Sequence, residues 1–144
     1  MIQRTVAALL LLAALAAPRA LASARLGLGA DYVFDQTGLF SLTLAGDLPV
    51  ARRISVTGRA GALVTSSPAT AGVPLDAGIR VRVGRAYLEG LIGPWIFFSG
   101  EAVRGHAAFG LGIEGRSAFV GAEVGALGFS GGAAILGARF GLKL

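Results

Sequence analysis

The chain has 144 residues, with 13 basic and 8 acidic side chains, one histidine, no cysteine and 23 glycines, and 54% of it is apolar. The lack of cysteine excludes a disulfide framework and a thiolate metal site, and one histidine is too few to build a metal centre. The basic residues form no run and do not interleave with aromatics, which argues against nucleic acid as a partner.

Met1 to Arg4 give a short positive start, Val6 to Ala17 is unbroken Val, Ala and Leu, and Pro18 ends the run. Twelve apolar residues fall short of the ~20 that a helix needs to cross a bilayer. Small residues follow, and both Ala20-Leu21-Ala22 and Ala22-Ser23-Ala24 suit signal peptidase. The reading is a Sec-type signal peptide over 1–24, cleaved after Ala24, with Ala22 as the alternative. No cysteine follows, so a lipoprotein anchor is excluded. The remaining 25–144 form one domain of about 120 residues. Without Arg4 and Arg19, eleven basic residues face eight acidic ones, a mild net charge of +3.

This mature part is apolar yet has no stretch of eighteen apolar residues, which excludes membrane-spanning helices. Inside lipid, the other way to satisfy every backbone donor and acceptor is a closed sheet, whose strands alternate apolar and polar residues. Eight segments show that period of two: 25–35, 38–48, 52–65, 75–84, 86–95, 105–114, 117–127 and 132–144.

In the first segment Leu26, Leu28, Ala30, Tyr32 and Phe34 oppose Gly27, Gly29, Asp31 and Asp35. In the second, Phe40, Leu42 and Leu44 oppose Ser41, Thr43 and Asp47, and in the third Ile54, Val56, Ala60, Ala62 and Val64 oppose Ser55, Thr57, Arg59 and Gly61. The fourth sets Ile79, Val81 and Val83 against Arg80 and Arg82. The fifth turns Leu88 and Ile92 outward and Tyr87, Glu89 and Leu91 inward, since Glu89 in lipid would cost more. The sixth opposes Ala107, Phe109, Leu111 and Ile113 to His106, Gly110, Gly112 and Glu114. The seventh opposes Ala118, Val120, Ala122 and Val124 to Phe119, Gly121, Glu123 and Gly125. In the eighth, Ala134, Leu136, Ala138, Phe140, Leu142 and Leu144 alternate with Ile135, Gly137, Arg139, Gly141 and Lys143.

Proline, which cannot donate to a ladder, falls at Pro49, Pro68, Pro74 and Pro94, in or beside the expected turns. The longest connections are expected at 66–74 and 96–104, alternating with short ones, as when long loops face outward and short turns face the periplasm. Tyr32, Phe34, Phe40, Trp95, Phe97, Phe98 and Phe129 gather at the loop ends, where an interfacial aromatic girdle would sit.

The opening Leu26-Gly27-Leu28-Gly29-Ala30-Asp31-Tyr32 and the closing Phe140-Gly141-Leu142-Lys143-Leu144 resemble the small eight-stranded outer-membrane barrels, the group of the outer-membrane protein A transmembrane domain, outer-membrane protein X and the opacity proteins. The resemblance covers 25–144 and implies an all-β, antiparallel, up-and-down transmembrane barrel in a Gram-negative-type outer membrane. Its partners would be membrane lipids and the barrel assembly machinery, and it would be a monomer without cofactor. Leu144 stands where such barrels commonly end in an aromatic residue. The chain ends with its last strand, so a peptidoglycan tether is not expected.

An eight-stranded barrel has an interior just wide enough for side chains to fill. By parity Asp31, Asp47, Glu89, Glu114 and Glu123 point inward with Arg59, Arg80, Arg82, Arg139 and Lys143, and the near balance of sign suits a low-dielectric lumen. Arg80 is expected opposite Glu89, and Glu123 one diagonal from Arg139. This reading makes the chain a non-enzymatic barrel with a charge-plugged lumen, serving envelope structure or surface interaction through 66–74 and 96–104. The alternatives are a narrow pore, a lipid A deacylase or acyltransferase using His106 with Ser99 and Glu101, and a soluble lipocalin-like binder. The deacylase pattern wants a serine two residues after the histidine, where Ala108 stands, so His106 reads as a polar rim residue and no catalytic set is assigned. A lipocalin would need the opposite sidedness. The pairs Gly27/Gly29 and Gly110/Gly112 lie within strands and read as packing glycines rather than nucleotide loops.

Overall fold

The computed structural model describes residues 23–34, 37–128 and 132–144. They form eight strands: β1 (Ser23–Val33), β2 (Thr37–Pro49), β3 (Ile54–Ser66), β4 (Ala69–Val83), β5 (Ala86–Phe97), β6 (Val103–Glu114), β7 (Ala118–Leu127) and β8 (Ala133–Lys143). Each pairs antiparallel with its sequence neighbours, and β1 pairs with β8, so the sheet closes into an up-and-down barrel with no free edge. The order follows from hairpin connections no longer than a few residues, which force neighbouring strands to pair. The turn from β4 to β5 needs only Gly84 and Arg85, and Gly84 takes a positive φ of 63° that a side chain would strain.

Period two decides the faces. Along β1, Leu26 and Leu28 are exposed while Arg25 and Asp31 are buried, and along β8, Leu136 and Phe140 are exposed while Ile135 and Arg139 are buried. Neighbouring residues of β2 show the contrast: Leu39 is 1% exposed and Phe40 60%. In β5, Tyr87, Glu89 and Leu91 face in and Leu88 and Ile92 face out. The outer surface is thus a continuous apolar band, the arrangement that suits acyl chains and that a water-soluble monomer avoids.

Several boundaries differ from the sequence expectation. Strand β1 starts at Ser23, two residues ahead of the expected first segment 25–35. The stretch 66–74 is not a loop: β3 and β4 are joined through Ser67 and Pro68, and β4 begins at Ala69. The other long connection is shorter than expected as well, spanning 98–102. Pro74 lies inside β4 and Pro94 inside β5, not beside turns. The ladder accommodates them by interruption, because paired residues are missing at Gly61, Ala62, Val73 and Pro74 between β3 and β4, and at Leu75, Asp76, Gly93 and Pro94 between β4 and β5. Asp35, Phe129 and the expected signal segment up to Ala22 lie outside the described residues.

Candidate functional site: the barrel lumen

Ladder register places the inward side chains in layers. At the end where β1 meets β2 and β5 meets β6, Val33, Leu39, Leu63, Trp95, Phe97, Leu127 and Ile135 pack together as one buried apolar cluster. Trp95 and Phe97, expected in the interfacial girdle, belong to this interior cluster and are 1% and 7% exposed. The reason is parity. Both share the odd-numbered face of β5 with Tyr87, Glu89 and Leu91, so the strand that hides Glu89 must also hide them. Tyr32, Phe34, Phe40 and Phe98 do face outward, with Tyr32 and Phe34 edge to face at 5.5 Å.

Beneath the apolar cluster lies a ring of charge. Arg59 reaches two carboxylates from β3: its Nε and Nη2 donate to Asp76 Oδ2 at 3.0 and 2.8 Å, and its Nη1 and Nη2 donate to Glu123 Oε2 and Oε1 at 2.8 and 3.1 Å. Arg139 Nη2 donates to the same Glu123 Oε1 at 3.1 Å, and its Nη1 lies 2.7 Å from Asp31 Oδ1. Asp76 further accepts from Trp95 Nε1 at 3.1 Å and meets His106 Nδ1 at 2.8 Å, while the Trp95 and His106 rings stack at 4.1 Å. Planar guanidinium groups suit this work because each presents a rigid fork of donors.

A second network fills the opposite half. Arg25 Nη2 donates to Asp47 Oδ1 at 2.8 Å and to Thr57 Oγ1 at 3.0 Å. Arg80 Nη1 donates to Glu89 Oε2 at 2.8 Å, and its Nη2 donates to Glu114 Oε2 at 2.6 Å. The Arg80 guanidinium also lies 3.6 Å from the Tyr87 ring centroid. Arg82 bonds Glu114 at 2.9 Å and also Asp47, and Lys143 Nζ stands 3.6 Å from Glu114. Among the described residues the lumen thus sets Arg25, Arg59, Arg80, Arg82, Arg139 and Lys143 against Asp31, Asp47, Asp76, Glu89, Glu114 and Glu123, so cations and carboxylates balance. Balance is required because an uncompensated buried charge costs several kcal/mol, roughly. Between the networks a cavity of ≈ 20 Å³, bounded by Arg25, Thr43, Thr57, Arg59, Glu89 and Arg139, has room for about one water.

Glycines on the inner face make these networks fit. A Cβ at Gly137 would run into Asp31 Oδ1, and one at Gly121 would run into the Tyr87 hydroxyl.

Two members of the networks lie outside the set expected from sequence, Arg25 and Asp76. Both carry the right signal, since Arg25 shares the parity of Asp31, and Asp76 that of Arg80 and Arg82. They sit at expected strand starts, where alternation has not yet been established, Arg25 just after the expected signal segment and Asp76 just after an expected loop. His106 is also placed differently: it is not a rim residue but is 3% exposed inside the lumen. Ser99 and Glu101 do not join it. The Ser99 hydroxyl donates to Thr70 Oγ1 at 2.6 Å, and Glu101 pairs with Arg104 at 3.3 Å.

No protein-family profile and no curated protein matches the chain. Among solved structures, a de novo designed transmembrane β-barrel superimposes with a TM-score of 0.68 at 10% identity, covering 85% of this chain and 95% of the designed one. The N-terminal β-barrel domain of Pseudomonas aeruginosa OprF superimposes with a TM-score of 0.57 at 12% identity, covering 85% and 97% respectively. At such identities the likeness is one of fold: the chain is an eight-stranded antiparallel closed barrel, the fold that these transmembrane barrels share.

Proposed function

We propose that this chain is a small non-enzymatic outer-membrane protein whose lumen is closed by its own side chains, contributing to envelope structure or surface interaction. The observation that carries the reading is the stacking, inside one barrel, of an apolar cluster over interlocked ion pairs, with a cavity of ≈ 20 Å³ between the two charge networks. A permeation path would need water from end to end. The apolar cluster around Trp95 opposes that at one mouth, and Arg59, bridging Asp76 and Glu123, opposes it at mid-depth. The chain would cross the inner membrane on a Sec signal, be inserted by the barrel assembly machinery and act as a monomer, with residues 98–102 as its main described contact loop.

Enzymatic lipid modification is disfavoured because His106 is buried against Asp76 and Trp95, away from the Ser99 hydroxyl. Planar-bilayer recording tests the main reading. The refolded protein is expected to give no current steps above the bare bilayer, and discrete steps would assign it a pore. Lipid A mass spectrometry from cells with and without the chain is expected to match, and a changed acyl pattern that His106→Ala abolishes would assign it an enzyme instead.

A further inference from the structure

Four exposed arginines, Arg52, Arg53, Arg85 and Arg116, occupy the three turns at the barrel end that also holds Ser23 and Leu144. Backbone bonds set these turns at one level. Beyond each hairpin a turn carbonyl accepts one more bond from the next strand: Arg53 O from Arg82 N–H at 2.8 Å, Arg85 O from Glu114 N–H at 2.7 Å, and Ser117 O from Lys143 N–H at 2.9 Å. The turns are therefore parts of one rim and not independent flaps.

Among the described residues no acidic side chain stands on the outside of this rim. The carboxylates of this end, Asp47, Glu89 and Glu114, are buried in the lumen and held by Arg25, Arg80 and Arg82. Ion pairs among the described residues engage Arg25, Arg59, Arg80, Arg82, Arg104, Arg139 and Lys143, and none of the four turn arginines. At the opposite end the exposed Glu101 faces Arg104, so the described residues there carry no comparable excess.

Position relative to the apolar band supplies the second half of the argument. Val50, Ile54, Val83 and Ile113 flank these turns and are 60%, 39%, 58% and 60% exposed. A guanidinium one to three residues beyond that band lies where acyl chains give way to headgroups, and its stem can lie along the apolar edge while the fork reaches the phosphates.

We propose that this rim binds anionic phospholipid headgroups, the turn guanidiniums taking phosphodiester oxygens in pairs, in the leaflet faced by Ser23 and Leu144. The planar guanidinium fork at all four positions fits the two non-bridging oxygens of a phosphodiester, which accept as a pair. This rests on the membrane-barrel reading above.

The test reconstitutes the mature barrel in phosphatidylcholine bilayers with trace spin-labelled phosphatidylglycerol or spin-labelled phosphatidylcholine, and compares the motionally restricted fractions. Phosphatidylglycerol is expected to be favoured about fivefold, the factor one juxtamembrane charge confers, and the preference is expected to shrink with salt. Combining Arg52→Gln, Arg53→Gln, Arg85→Gln and Arg116→Gln is expected to bring the ratio to about one, while the four Lys replacements retain part of it. Heat-dependent gel migration checks that each variant is folded. An unaltered ratio in the Gln variant overturns the proposal. So does loss of preference to an equal concentration of inorganic phosphate, which would mark a site for free anions. Binding of polyglutamate to the phosphatidylcholine-embedded barrel without phosphatidylglycerol preference overturns it in favour of a soluble polyanionic partner. A chain that never inserts into phosphatidylcholine overturns the membrane reading and this proposal together, whereas insertion without preference overturns this proposal alone.

Discussion

Glu123 is the residue on which the upper charge ring turns, since it joins Arg59 of β3 to Arg139 of β8. Removing its charge by Glu123→Gln leaves two buried guanidiniums short of a carboxylate, and the expected loss is about 3–5 kcal/mol in the urea-unfolding free energy of the detergent-refolded barrel. Glu101→Gln is the natural contrast. Glu101 is 60% exposed and its pair with Arg104 is solvated, so that change is expected to move stability by less than about 1 kcal/mol. Equal effects of the two substitutions would mean that the lumen is wetter than its geometry implies. Glycine offers a second comparison. Gly137→Ala drives a methyl into Asp31 and is expected to cost about 1–3 kcal/mol, whereas a Cβ at Gly58 meets nothing within 4 Å. Gly58→Ala should therefore be neutral or stabilise by up to about 1 kcal/mol, through the unfolded chain.

Among the elements, β1 and the β3–β4 hairpin depart most from what the sequence suggested. Ser23 and Ala24 are paired strand residues, with Ser23 Oγ donating to Asp47 Oδ2 at 3.2 Å and Ala24 O accepting from Leu144 N–H at 2.9 Å. Cleavage after Ala22 preserves these contacts and cleavage after Ala24 discards them. N-terminal sequencing of the exported protein is thus expected to begin at Ser23, and a start at Arg25 would show that closure of β1 on β8 does not depend on them. The β3–β4 hairpin evaded sequence reading because Pro68, Pro74 and the small residues around them look like a loop. Thr65 Oγ1 donates to Pro68 O at 2.6 Å and Thr37 Oγ1 donates to Ser67 O at 2.7 Å, side-chain bonds that tie this turn to its neighbours. A short epitope inserted at Ser67 is therefore expected to lower the yield of folded barrel, measured by heat-dependent gel migration, while the same insertion at Gly100 leaves it unchanged.

For the whole molecule, sidedness is the organising feature: apolar side chains outside, charge inside, and a buried apolar cluster at one end. Trp95 joins the apolar cluster to the ring of charge through its bond to Asp76. Trp95→Ala removes both, and the expected outcome is a loss of about 3–5 kcal/mol together with transient current steps in planar bilayers that the parent lacks. A silent, destabilised variant would show that the ion pairs alone keep the lumen shut.

Alternation made the fold legible. Period two recurs over every strand, and it correctly sets Leu28, Phe40, Leu111 and Phe140 outside. The same parity marks the inner face on which Arg80, Glu89, Glu123 and Arg139 stand, and short hairpins determine which strands are neighbours. Those are local properties, fixed by backbone pleat and turn length, and the sequence by itself determined them. Contacts across the lumen are not local. Arg59 and Glu123 are 64 residues apart and meet only because closure of β1 on β8 brings β3 and β7 to face each other at one depth. Stacking His106 against Trp95 of the apolar cluster likewise depends on strand tilt and register around the closed sheet. Tertiary structure alone decided those pairings, because a strand carries the face of each residue in its own sequence but not the height at which the opposite wall will stand.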